Sequence, residues 1–398
     1  MGLLLPAVLC ALAACCTATS PPLQRDHLSP LLSRSCNESS VLELAGLALQ
    51  DINRDRKDGY VLSLNRVSDV REQRQASDGP LVFLNPLPQV NLGSLFYFTL
   101  DVLETGCHVL SKKAWKGCGV RHLHASVYGQ CKALFYVNMP QRILYVPAYN
   151  CTLRPVSQRK IHMMCPDCPS PINLSDPGVL ETAAESLAKY NSESASKQYS
   201  VFQVTRASTQ WVVGPAFFVE YLIKESPCTQ HHAGSCALQP PDSLPVGLCH
   251  GSRTETRLEK FVTVNCEFFE PQVPVSGGEN PEANQRPVDL PMVKEPQQKN
   301  IAPTSSPSKA MPKGSVQYLP SLDDEKNPED AQGNSPVEAF PVQLDLTTNP
   351  EGESLDVSFL FLHPVGKKLV VLPFPKKDQR SAECPGPAQQ ANPFVLPL

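Results

Sequence analysis

Neither charge dominates this chain: 35 Lys and Arg stand against 39 Asp and Glu, a net charge of -4 over 398 residues. A nucleic-acid partner wants a strongly basic face, so that class is set aside. Long hydrophobic runs are missing too. The apolar block Leu3–Ala14 falls short of the roughly 20 residues that span a bilayer, and Leu355–Leu362 is broken soon after by Pro364. No membrane partner is expected. Nothing matches a nucleophile elbow, a phosphate loop or a zinc-binding helix, so neither catalysis by the chain nor a cofactor is expected. The chain reads as a binder that acts as a monomer.

The first 20 residues lack any charged side chain. Their apolar block is followed by small residues (Ala14, Thr17, Ala18, Thr19), which predicts a secretory signal peptide over 1–20, without the usual basic start. Three of the 15 cysteines (Cys10, Cys15, Cys16) lie in it, and the 12 that remain are an even set. In an oxidising compartment such a set predicts a disulfide framework. Sequons at Asn37, Asn150 and Asn173 fit the same compartment, so the protein is expected to be secreted and N-glycosylated.

What the chain has is a repeat. Val41-Leu42-Glu43 recurs 138 positions later as Val179-Leu180-Glu181, and the same offset pairs Ala45 with Ala183, Leu49 with Leu187 and Asn53 with Asn191. Both segments predict amphipathic helices, one facing inward with Leu42, Ala45, Leu49 and Ile52, the other with Leu180, Ala183, Leu187 and Tyr190. Ser40 with Glu43 suggests a capping box, and Asp176-Pro177 an N-cap with proline in the first turn. Alternating segments follow each helix: Tyr60, Leu62 and Leu64, then Phe96, Phe98, Leu100 and Val102 in the first copy, and Phe217, Val219, Tyr221 and Ile223 in the second. Period 2 with aromatic and β-branched residues predicts half-buried strands.

Four cysteines close each copy: Cys107, Cys118, Cys131 and Cys151 in the first, Cys228, Cys236, Cys249 and Cys266 in the second. A helix followed by four strands, with two sequential disulfides in the second half, resembles the cystatin fold. The fold class is therefore α+β: two tandem cystatin-like domains, each a helix across a curled antiparallel sheet, over 21–153 and 172–270. The resemblance implies Cys107–Cys118, Cys131–Cys151, Cys228–Cys236 and Cys249–Cys266. From Pro271 the composition turns to Pro, Gln, Asn, Ser, Lys and Glu, which predicts a disordered Pro-rich tail over 271–398, with O-linked sugars around Thr304, Ser305 and Ser306.

The linker, 154–171, carries Cys165-Pro166-Asp167-Cys168-Pro169. A zinc site would want a second ligand pair, and a redox site a helix behind the first cysteine, which the prolines forbid. A small Cys165–Cys168 ring remains. It either stiffens the linker or lifts Asp167 as a rigid exposed carboxylate. Such a carboxylate could take the open position of a catalytic zinc on another protein, at about 2.0–2.2 Å. The second motif is Gln210-Trp211-Val212-Val213-Gly214, the Gln-x-Val-x-Gly hairpin of cystatins that inhibit papain-like proteases. The first copy holds only Gln89-Val90-Asn91-Leu92-Gly93, and no Pro-Trp pair or free N-terminal trunk completes the wedge. The hairpin is either a relic of the fold or an interface anchored by Trp211. His122, His124, His231 and His232 read as surface or packing residues.

Together, the tandem domains, the 12 cysteines, the Cys-Pro-Asp-Cys-Pro linker and the Pro-rich tail resemble the fetuin-B branch of the fetuin family, over essentially the whole chain. The resemblance implies a Cys36–Cys384 bridge between the chain ends and a plasma protein. It implies a partner as well: astacin-type zinc metalloproteinases such as ovastacin, the egg protease that hardens the zona pellucida. Asp167 would meet the target's zinc, with the Gln210–Gly214 hairpin and a second hairpin of the same domain beside it. Inhibition there would keep the zona penetrable and support fertilisation. Inhibition of cysteine proteases through Gln210–Gly214, or non-inhibitory carriage of mineral or ligand, are the alternatives.

Overall fold

The computed structural model describes residues 30–75, 93–194, 197–211, 213–226, 244–270, 314–321, 323, 351–361, 368–375 and 381–395. The expected signal segment 1–20, Gln89–Leu92, Val212, His231, His232, Thr304–Ser306 and the expected Cys228–Cys236 pairing lie outside them.

The first unit runs β1 (Leu32–Ser33), α1 (Ser39–Asp55), β2 (Tyr60–Arg74), β3 (Ser94–His108), β4 (Val127–Asn138) and β5 (Ile143–Pro155), with every neighbouring strand pair antiparallel. Helix α1 lays Val41, Ala45, Ala48, Leu49 and Ile52 against the sheet, all fully buried. Each large aliphatic side chain in that stripe stabilises the fold by roughly 1.5–3 kcal/mol. Leu42, expected inside, is exposed, because Val41 starts the contiguous stripe and Leu42 lies one residue round the helix. The Ser40–Glu43 capping box does not form. Glu38 takes the N-cap, so Ser40 is already helical and its hydroxyl donates to Glu38 Oε1 at 2.6 Å. Three register shifts in β2 increase the local twist and curl the sheet around α1.

After β5 come α2 (Gln158–Met164) and β6 (Ser170–Pro171), then the second unit: α3 (Pro177–Glu193), β7 (Tyr199–Trp211), β8 (Pro215–Glu225), β9 (Gly247–Glu255) and β10 (Lys260–Phe268). Its sheet has the order β10-β9-β8-β7-β6. Asp176 caps α3 by accepting from Gly178 N–H at 2.8 Å, with Pro177 in the first turn. Val179, Ala183 and Leu187 are buried, and Leu180 is exposed for the same reason as Leu42. The helix comes close at Gly251, where a Cβ would stand 2.3 Å from Ser186 Oγ. The repeated asparagines explain their repetition. Asn53 exchanges two hydrogen bonds with the backbone of Leu62 (2.8 and 2.9 Å), and Asn191 two with Tyr199 (2.9 and 3.0 Å), each clipping a helix end to the first long strand.

Cross-strand disulfides tie β4 to β5 (Cys131–Cys151) and β9 to β10 (Cys249–Cys266), with Cα atoms 4.0 Å apart in both. Cys107–Cys118, Cys165–Cys168 and Cys36–Cys384 complete the set among the described residues.

Several stretches of the Pro-rich 271–398 segment pack on the first unit. Strand β11 (Gly314–Tyr318) adds in parallel to the edge of β5. Strands β12 (Glu353–Asp356) and β13 (Lys368–Val371) pair with each other. With them, Val357 and Phe361 cover Leu95, Tyr97, Leu134 and Tyr136 on the sheet face away from α1. These short strands exist because a sheet edge and an apolar sheet face receive them, information that local composition does not carry. Strand β2 is accordingly buried on both faces rather than alternating.

The two units meet through charge. Arg121 grips Glu220 bidentately at 2.7 and 2.8 Å, and Tyr60 donates to Glu220 Oε2 at 2.5 Å. Arg206 pairs with the buried Glu104, which also accepts from Tyr318 of β11 at 2.7 Å. Burial alone would raise the Glu220 carboxyl, but the Arg121 guanidinium and the Tyr60 hydroxyl bring it down to about 2. A network of this kind specifies geometry more than it adds stability, since desolvation offsets much of the attraction.

Candidate functional site

The site is assembled at one end of the second sheet. Leaving β5, Ser157 caps α2 by accepting from Lys160 N–H at 3.2 Å. The helix ends where Cys165 N–H donates to Ile161 O at 2.8 Å and Pro166 prevents a further turn. Cys168 N–H then returns to Cys165 O at 3.1 Å, closing a β-turn with proline at its second position, and the Cys165–Cys168 disulfide staples the same turn. Immediately after, Ser170 and Pro171 pair with Thr209 and Ser208 of β7. The ring is thus held on both sides, and Pro166 and Asp167 are exposed at its tip. Among the described residues nothing hydrogen-bonds the Asp167 carboxylate.

The two motifs singled out in the sequence meet here. Gln210 Nε2 donates to the backbone carbonyl of Asp167, so the first residue of the hairpin motif steadies the residue at the tip of the ring. Beyond Gln210, Trp211 opposes Pro215 as the strands turn. Gly214 is needed for close approach: a Cβ there would sit 2.0 Å from Glu255 O, at the base of the neighbouring hairpin. That hairpin turns at Thr256–Glu259, with Thr256 N–H donating to Glu259 O at 2.9 Å. Strands β7 and β9 run the same way, so both turns lie at one end of the sheet, beside the ring.

Large apolar side chains project from these tips. Trp211 is 73% exposed, Val213 72%, Leu258 94% and Met163, at the end of α2, 84%. Isolated exposed apolar residues are ordinary, but a cluster flanking a free carboxylate on a pinned turn has the make-up of a docking edge. Leu258 and Met163 do not stand out in the sequence. The only signals for them are a short polar break between two strand patterns and a Met pair directly before Cys165.

The remaining candidates fall elsewhere. His122 and His124 stack at 5.9 Å between β3 and β4, and burial together with the His122 charge lowers the His124 pKa. No group of three or more His, Cys, Asp or Glu among the described residues is placed to hold a metal. Asn37 and Asn173 are exposed, while Asn150 is half-buried in β5 beside Ser315 of β11. Of the first-copy hairpin Gln89–Gly93 only Gly93 is described.

A helix on a curled sheet, twice over, with the second copy ending in two hairpin turns beside a stapled ring, defines a tandem-cystatin protein. The cystatin domain family matches residues 167–256, which hold the ring's Asp167 and most of the second unit. Human fetuin-B is 64% identical over 399 residues, covering 100% of both chains, and cattle fetuin-B is 62% identical over 401 residues with the same coverage. Among solved structures, mouse fetuin-B in its inhibitory complex with human meprin beta is 55% identical. It covers 92% of this chain and 100% of that one, with a TM-score of 0.71. Mouse fetuin-B has also been solved with crayfish astacin, at 56% identity and a TM-score of 0.70 over 92% of this chain and 98% of that one. The chain belongs to the fetuin-B family.

Proposed function

We propose that this chain is a secreted, non-enzymatic inhibitor of astacin-type zinc metalloproteinases, with Asp167 as the group that occupies the target's catalytic zinc. The observation that carries it is the free carboxylate of Asp167 at the tip of a disulfide ring, pinned by Gln210 and flanked by exposed Trp211, Val213 and Leu258. Mouse fetuin-B, similar over nearly the whole chain, forms an inhibitory complex with meprin beta and a complex with astacin.

The physical chemistry is direct. A catalytic zinc keeps one position for water, and a carboxylate oxygen at about 2.0–2.2 Å displaces it and with it the nucleophile. Ordering a floppy loop on binding would cost on the order of 1 kcal/mol per residue. A ring held by a disulfide, a β-turn and strand pairing is ordered beforehand. The hairpin tips then supply buried apolar area on the cleft wall, with Trp211 as the anchor. With ovastacin as the target, inhibition would prevent premature hardening of the zona pellucida and so support fertilisation.

Wild-type protein and Asp167→Ala are compared against a purified astacin-family protease. The variant is expected to lose at least about 100-fold in inhibition (~2.7 kcal/mol) with its thermal midpoint unchanged. Equal inhibition by both would leave blocking to the hairpins and overturn the zinc-ligand role.

A further inference from the structure

The linker helix that delivers the ring is too short to stand alone. Helix α2 has seven residues, well under the ~12–15 at which an isolated helix becomes even marginal. Only one of its side chains, Ile161, is buried. What supports it comes from far along the chain.

One support is Asp323. Its Oδ1 accepts from Ser157 Oγ at 2.7 Å, and its Oδ2 accepts from Arg159 N–H at 3.0 Å. Asp323 therefore backs the capping residue of α2 and also satisfies one of its otherwise unpaired backbone donors. Strand β11 brings it there, as Leu319 N–H continues the ladder to Leu153 O at 2.8 Å. The second support is the C-terminal end. Val395 is buried with Leu103, Tyr128, Val156 and Ile161, and Phe394 and Cys168 pack against the same cluster. One apolar cluster thus joins the chain's end, the linker helix and the ring. That end is itself tied down. Asn65 exchanges hydrogen bonds with Gln390 (2.7 and 3.1 Å), Gly386 N–H donates to Val67 O at 2.9 Å, and Cys384 is bridged to Cys36.

We propose that these two tail segments form a clamp that positions the inhibitory ring, with Asp323 and Val395 as positioning residues acting through α2 on Asp167. The inference rests on the reading of Asp167 as the working group. In this role the ordered stretches of the Pro-rich tail convert a short, intrinsically weak helix into a fixed strut behind the ring.

The test uses the full chain carrying Asp323→Ala, Asp323→Asn or Val395→Ser, each alone and combined with Asp167→Ala. Hydrogen exchange is read at the Ile161 and Cys165 amides, and inhibition against an astacin-family protease. Loss of Asp323 is expected to speed exchange at those amides about tenfold, the scale of a lost helix cap, and to leave α1 unchanged. Asp323→Asn, which keeps an acceptor oxygen, should lose less. Inhibition should weaken by a similar factor in the wild-type background and not at all further in Asp167→Ala. Unchanged α2 exchange in both tail positions overturns the clamp. So does faster exchange with intact inhibition, or a full additional loss in the Asp167→Ala background. If Asp167→Ala itself inhibits like wild type, the zinc-ligand reading falls, and the clamp is then decided by the exchange result alone.

Discussion

Asp167 does its proposed work through a carboxylate that nothing hydrogen-bonds among the described residues, and the residues around it keep it that way. Gln210 takes the backbone carbonyl and not the carboxylate. Gly214 leaves room for Glu255, so the two hairpins lie side by side. A different residue, His108, makes a prediction about pH. It is buried between Tyr60 and Phe269, and burial pushes its ring down to about 4 from the ordinary 6.5, with Arg56 pushing the same way against the pull of Asp58 and Glu220. The unfolded chain therefore takes up this proton first as pH falls. Stability from the neutral ring is complete above about 6.5 and is lost progressively toward 4. The thermal midpoint should fall across that window, and His108→Phe, which keeps a ring at the position, should flatten the fall. An unaltered slope in the variant would remove His108 from the account.

At the scale of elements, the decisive piece is the ring. By the loop-entropy relation a disulfide closing so few residues contributes only about 2 kcal/mol to folding, so its value lies in rigidity. Replacing Cys165 and Cys168 together by Ala should leave the thermal midpoint within a few degrees of wild type. Inhibition should weaken at least about tenfold, and the target should slowly cut the linker, seen as two fragments on a reducing gel. An open ring that inhibits fully and stays intact would show that rigidity is not required. The elements also show what a sequence can and cannot carry. The 138-residue offset exposed both helices and paired Asn53 with Asn191, whose clips to the following strands only the fold shows. Periodicity misjudged Leu42 and Leu180, because adjacent apolar residues compete for one stripe and only packing decides between them. Helix α2 left no readable pattern: Ser157 caps it locally, but Asp323, which backs that cap, and Val395, which shares the buried cluster of Ile161, lie well over 100 residues away.

On the scale of the whole molecule, the two units are joined by polar groups that read as ordinary surface in the sequence. Glu104, Arg206 and Glu220 sit on separate strands and Arg121 in the loop between β3 and β4, and they find one another only in the fold. Tyr318 brings the tail into the same network. The Pro-rich tail was unreadable for a related reason: its strands are four or five residues long and depend on the sheet that receives them. The site itself was half visible. The ring and the Gln210–Gly214 motif stand out as residues, whereas their contact and the exposed Met163 and Leu258 are products of the fold. Under the proposed function, the first unit and the tail would serve as the frame from which the second unit and the ring face a target.

The measurement that goes most directly to the claim is spectroscopic. An astacin-family protease with cobalt in place of its zinc is titrated with wild-type protein and with Asp167→Ala, and the visible absorption of the metal is followed. Wild type should change the cobalt spectrum with one equivalent, as a carboxylate replaces the metal-bound water. Asp167→Ala should leave the spectrum unchanged even at concentrations where the hairpins still bind. The same spectral change from both proteins would contradict the assignment of Asp167 to the metal.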